Sequence, residues 1–202
     1  MSFDPTCFAS ASVVDTCAVW NILSSKRLYQ AAIHAQRHFC VTPMVLYECL
    51  QKPRSNTTEE QTELMGRLRV AQTEGYFPAH ECTLDDLLAI SAKAPGKLGS
   101  GELSCIATAY RIQSIAFMTD ESLARTSAGK IFGLRVETTP RLYGFLHYHL
   151  HLDTSDHENV IAEHEKYERR PLTKFLRKTY EIAMRSRLMN NSAALATKPS
   201  PI

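Results

Sequence analysis

Apolar positions in this chain arrive in two alternating rhythms: short β-branched runs closed by polar residues, and longer stretches with an apolar residue every third or fourth position. The short runs read as buried strands and the long ones as helices packed on them. Ser12, Val13, Val14 and Asp15 form the first run, and residues 16–23 continue as the start of a helix. Residues 39–42 form a second run, after which Pro43 suits the first turn of a helix over 43–50. Residues 76–83 supply a third strand, 114–120 a fourth closed by Asp120, and 133–138 a fifth. Further helices are expected over 26–37, from Thr57 or Thr58 to about Gly75 with a capping box, over 84–93, over 99–113 and from Glu121 onward. This alternation implies an α/β fold, a three-layer α/β/α sandwich with a mainly parallel five-stranded sheet.

Beyond Pro140 the rhythm changes. Residues 142–146 read as helix, and His147, His149 and His151 then alternate with Tyr148 and Leu150, as on a strand face or a surface tract able to bind a transition metal. Residues 156–187 predict one or two charged helices broken at Pro171, and from Asn190 onward the composition is that of a frayed tail. The expected organisation is a domain over 1–150 and a helical, partly basic extension over 151–202.

Lys and Arg number 23 against 21 Asp and Glu, a balance of +2 that neither demands nor excludes a polyanionic partner. Cysteines at 7, 17, 40, 49, 82 and 105 sit scattered in apolar runs without zinc-ligand spacing, as reduced thiols do in a reducing compartment. The N-terminus lacks a basic start followed by an apolar stretch, and no apolar window reaches bilayer length. A cytoplasmic protein with no membrane partner is expected.

The candidate chemistry lies in four acids. Glu102 enters a helix behind a glycine-rich turn, where Gly99 and Gly101 relax the backbone, Ser100 is placed to cap the helix, and free N–H groups favour an ionised carboxylate. Glu48, flanked by Val45, Leu46, Cys49 and Leu50, loses hydration unless a partner or metal compensates. Asp15 and Asp120 each close a strand, and the carboxyl ends of parallel strands form the ligand crevice. Four converging carboxylates repel one another and are tolerated with divalent cations; an all-oxygen set suits Mg²⁺ or Mn²⁺. Asp85 and Asp86 read instead as helix-dipole partners, and His34 and His38, one turn apart, lack a third ligand.

Taken in order, Val13-Val14-Asp15-Thr16, Glu48 in a helix after a strand, Leu98-Gly99-Ser100-Gly101-Glu102, and the run from Met118 to Arg125 resemble the motifs of PIN domains over roughly residues 12–150. The resemblance implies a metal-dependent endoribonuclease, with many relatives of the VapC type acting as toxins silenced by an antitoxin. It makes Asp15, Glu48, Glu102 and Asp120 the metal-binding acids, with Glu121 an added ligand and Thr119 a supporting hydroxyl. One or two Mg²⁺ or Mn²⁺ ions would activate water against a phosphodiester. Arg125, Lys97, Lys26 and Arg27 are the expected phosphate contacts, and the expected partners are RNA, an antitoxin and a second copy of the chain. A different reading keeps the fold as a catalytically silent RNA-binding or scaffolding module. A haloacid-dehalogenase-like site is disfavoured, because Cys17 stands where its second aspartate would be.

Overall fold

A computed structural model describes residues 3–54, 56–167 and 171–196. At its centre lies β1 (Ala11–Val14), which pairs in parallel with β2 (His38–Cys40) on one side and with β3 (Ala116–Met118) on the other. Strand β4 (Val136–Glu137) extends the sheet beyond β3, giving the all-parallel order β2-β1-β3-β4. Val13, Val14, Phe117 and Met118 are wholly buried. Strands covered on both faces read as continuous apolar runs, which is why they are visible in the sequence.

The expected fifth strand is not formed. Residues 76–83 contribute one parallel bridge, Val41 to Ala79, in which the Val41 amide donates to Pro78 and the His80 amide donates back to Val41. Gly75 and Phe77 both adopt positive φ, and Pro78 has no N–H to donate, so no ladder can propagate. The apolar content of this segment goes into packing instead, with Phe77 stacked on Phe39 at 5.7 Å between ring centroids.

Helix starts follow local capping chemistry. Asp15 caps α1 (Thr16–Ser24), Ser25 caps α2 (Lys26–His34), and Thr42 with Pro43 opens α3 (Pro43–Leu46). The chain then widens into a π-helical turn, Tyr47–Gln51, closed by a Lys52 amide bond to the Tyr47 carbonyl at 2.8 Å. Thr58 and Gln61 form the capping box of α4 (Glu59–Thr73), followed by α5 (Leu84–Ser91), α6 (Ser100–Ile112) and α7 (Ser122–Lys130). Helix α6 lies against β1 and β3, with α5 outside it.

The C-terminal third is built from α8 (Thr139–Tyr148), α9 (Asp156–Tyr167) and α10 (Thr173–Ala196). Helix α10 packs along α8, and α9 against α1, α2 and α4. Leu152, Val160, Ile161 and Leu176 join the same hydrophobic core as the strands. The break between α9 and α10 falls around Pro171 as expected. The tail expected from Asn190 does not begin there, since α10 continues to Ala196; residues 197–202 lie outside the described residues.

The histidine tract is not a strand. Helix α8 runs to Tyr148 and buries His147 completely between Tyr143 and Tyr180, whereas His149, its C-cap, and His151 are exposed, as in a surface tract. His34 and His38 belong to different elements, separated by the positive φ of Gln36, and do not share a helix face. No helix among the described residues is long and apolar enough to cross a membrane.

Candidate functional site

From β1 the chain crosses to β2 on one side and later returns as β3 on the other, so the strand order reverses between β1 and β3. Ligands of open parallel sheets bind outside the carboxyl ends of the strands at such a reversal. Asp15 stands there, its amide bonded to the Met118 carbonyl at 3.2 Å, and Thr119 and Asp120 leave the adjacent strand at the same level.

Asp15 is 2% exposed. Its Oδ1 accepts from the Ala18 amide at 2.9 Å and from the Cys17 thiol at 3.1 Å, whereas Oδ2 is buried without a hydrogen-bond partner. Burial pushes the carboxyl up to about 7, against the opposing pull of Thr119, Ala18 and Cys17. Burial and the neighbouring Asp15 and Asp120 charges raise the Cys17 thiol as well, which keeps it protonated and available as a donor.

Glu48 projects from the π turn into the same cleft. Its Oε2 accepts from Thr16 Oγ1 at 2.5 Å, and its Oε1 from Ser100 Oγ and the Gly101 amide, both at 3.0 Å. Ser100 is therefore the first residue of α6 and a Glu48 ligand, while Gly99 occupies the cap position expected of Ser100. A Cβ at Gly101 would stand 2.5 Å from Glu48 Oε2, so glycine is what allows the carboxylate to reach the helix N-terminus.

Glu102 turns back to accept from the Gly99 amide at 2.8 Å. Contrary to the expectation that the helix end keeps it readily ionised, its carboxyl is raised, chiefly by desolvation and further by Glu121 and Glu48. Asp15, Thr16, Cys17, Trp20, Glu48 and Glu102, with Gly99 and the exposed Glu121, line a single cleft of about 350 Å³.

Asp120 lies behind this cleft. Its Oδ1 accepts from the Thr139 amide at 2.9 Å and its Oδ2 from Thr139 Oγ1 at 2.6 Å and Asn21 Nδ2 at 2.8 Å; burial raises its carboxyl. Thr119 Oγ1 accepts from the Glu121 amide at 3.0 Å and so shapes the turn between the two acids. Among the described residues no three His, Cys, Asp or Glu side chains are gathered closely enough to hold an ion as they stand. The reason is visible in the bonds: Glu48, Glu102 and Asp120 are each turned toward donors of their own, and Asp15 Oδ2 is buried without one.

The expected cations divide. Arg125 donates to the Asp120 carbonyl at 3.3 Å, and Lys97 is exposed two residues before Gly99. Lys26 and Arg27 are not at the site. Helix α1 starts at Asp15 and carries the chain about 13 Å away before α2 begins. There Arg27 pairs with Asp156 at 2.8 Å, and Lys26 lines a different groove with Glu63 and Arg67. Asp86 caps Thr83 and pairs with Arg111 at 3.0 Å, in keeping with the dipole reading.

Three residues were missed. Asn21, one and a half turns along α1 from Asp15, carried the only available signal, a polar side chain on an apolar helix. Thr139 gave none beyond its place before Pro140. Arg54, in the loop after the π turn, donates to the Glu48 and Cys49 carbonyls and lies 5.8 Å over the Trp20 ring, at the cleft wall.

Compared with known proteins, the chain matches no family model, and no curated protein and no solved structure gives a significant match.

Proposed function

We propose that this chain is a divalent-metal-dependent endoribonuclease of PIN-like, three-layer architecture, acting from a cytoplasmic compartment. The observation that carries the reading is Asp15 Oδ2: a buried carboxylate oxygen without a partner, at the floor of a cleft walled by Glu48, Glu102 and Glu121. A buried, unpaired carboxylate is costly, and a bound cation is the compensation that suits an all-oxygen set. Asp15, Glu48, Glu102 and Asp120 would hold Mg²⁺ or Mn²⁺, with Glu121 at the rim. When bound, the ion lowers the pKa of water and steadies charge developing on phosphate.

The chain's own residues prepare that chemistry. Ala18 and Cys17 donate to Oδ1 of Asp15, a residue that lines the cleft, and leave its Oδ2 without a donor. Thr16, Ser100 and Gly101 hold Glu48 by three donors, and Asn21 and Thr139 hold Asp120. Arg125 and Lys97 are the cations suited to phosphate, and Arg54 joins them beside Trp20. An antitoxin and a second copy of the chain are proposed as partners on the resemblance alone.

One observation favours the silent RNA-binding reading: the acids are not drawn together on a common point. Two measurements separate the readings. Thermal unfolding with and without Mn²⁺ should show metal-linked stabilisation, and wild type should cleave single-stranded RNA in Mn²⁺ while Asp15→Asn and Asp120→Asn do not. Equal behaviour of all three proteins in both assays would sink the nuclease.

A further inference from the structure

A second cleft opens on the far side of Asp120. It has a volume of about 300 Å³ and lies between the start of α8, the start of α7 and the N-terminal half of α10. Its walls are largely apolar, with Phe3, Leu172 and Ile182 among them, and Phe175, which also lines it, is 58% exposed. Three cations line it, Arg125, Arg141 and Lys178, against the one carboxylate of Asp120. That carboxylate is already engaged at both oxygens by Asn21 and Thr139. Arg141 is partly spent on Glu137 and the Val136 carbonyl, and Arg125 reaches the Asp120 backbone. Among the described residues Lys178 has no acidic partner and is exposed.

Apolar walls, an exposed aromatic face and surplus positive charge are the parts with which proteins hold one nucleotide of a single strand: the base stacks and the phosphate meets a cation. Three cations against one engaged carboxylate favour a polyanionic strand, with one charge per nucleotide, over a neutral apolar protein segment. Asp120 lines this cleft and the next residue, Glu121, lines the acid cleft, so the two meet at consecutive positions of the chain and a strand lying across the acids can continue into the second. We propose that the α8–α10 cleft is the binding site for the nucleotide next to the scissile phosphodiester in single-stranded RNA, with Phe175 stacking on its base and Lys178 and Arg125 contacting its phosphate.

The inference rests on the nuclease reading for the direction of the strand, and on α10, which lies beyond the stretch that carries the PIN resemblance. Its test is run without metal, so that cleavage plays no part. Fluorescence anisotropy of a labelled single-stranded RNA about ten nucleotides long is measured in EDTA for wild type, Phe175→Ala and Lys178→Ala over a range of salt. Phe175→Ala should weaken binding about tenfold. Lys178→Ala should weaken it and lower the slope of log affinity against log salt by about 0.7, the share of one phosphate contact on a single strand. Both side chains are exposed, so thermal unfolding should be unchanged and loss of fold is not the cause. Unchanged affinity and slope in both variants would overturn the site, whether or not wild type cleaves RNA. Absence of cleavage by wild type, with the binding losses present, would overturn the nuclease and leave the site standing.

Discussion

Gly101 and Glu48 are in contact across the cleft: the Gly101 amide donates to Glu48 Oε1 at 3.0 Å, and the missing Cβ of Gly101 is the space Glu48 Oε2 occupies. Fifty-three positions apart in sequence, they make one unit, a carboxylate seated on a helix N-terminus. The glycine-rich turn thus serves Glu48 as much as Glu102.

Gly101→Ala follows directly. Alanine is the better helix residue, by up to about 1 kcal/mol, but its Cβ would stand 2.5 Å from the flexible end of Glu48 and turn that side chain away. Stability by urea unfolding should change by less than about 1 kcal/mol. Mn²⁺-linked stabilisation should fall at least about tenfold in apparent affinity, the cost of losing one well-placed ligand.

Asp15→Asn should stabilise the metal-free protein. Asn caps a helix as well as Asp does, so α1 keeps its start. The native carboxyl is raised to about 7 from 3.8, so the buried charge costs stability in full above about pH 7 and nothing below about pH 4. At pH 8 the variant should gain roughly 2–4 kcal/mol, the linkage value of that shift, and lose its response to Mn²⁺. A melting temperature that falls at pH 8 would contradict the assignment of Asp15 as a strained, metal-seeking group.

Acid should act in the opposite sense through two histidines. His147 is wholly buried, with neither ring nitrogen hydrogen-bonded, and His164 is buried between Ser24 Oγ and the Leu172 amide. Burial lowers each to about 4 from 6.5. Their contribution is fully present above pH 6.5 and is lost as pH falls from 6.5 to 4, roughly 2–3 kcal/mol each. Measured in the Asp15→Asn background, which removes one opposing carboxyl titration and leaves those of Glu102 and Asp120, urea midpoints should fall from pH 7 to 4.5, and His147→Leu should flatten the fall.

Asn21→Leu tests the buttress of Asp120. Removing the 2.8 Å amide bond leaves Thr139 as the remaining side-chain partner. The cost in stability should be about 1–3 kcal/mol, the usual range for a buried hydrogen bond to a charge. Cleavage of single-stranded RNA should drop about tenfold with little change in RNA affinity in EDTA, because Asn21 lines neither cleft. A proportional loss of affinity would make Asn21 a binding residue instead.

Most of the architecture could be read from the chain because it follows from neighbours. Pro43 in the first turn of α3 and the capping box of Thr58 with Gln61 open helices as expected, since both act on N–H groups within a few residues. Val13, Val14, Phe117 and Met118 announce buried strands by composition. The four acids were legible as strand ends and helix starts, and Asp15, Glu48 and Glu102 do share a cleft.

What local pattern cannot carry is pairing over distance. The run at 76–83 has strand composition, but two positive φ values and a proline beside Val41 reduce it to one bridge. His147, His149 and His151 alternate as a strand would, yet α8 runs to Tyr148 and carries His147 into the face that α10 covers. Lys26 and Arg27 follow Asp15 closely in sequence and are removed from it by the length of α1. By itself, then, the sequence determined the capping box at Thr58, the buried strands and the identity of the acids, through hydrogen bonds and burial within a few residues. Only the tertiary structure decided which donors Glu48 and Asp120 meet, that Gly101 makes room for Glu48, and that α10 builds a second cleft against Asp120. Those contacts join residues 19 or more positions apart, and no local periodicity encodes them.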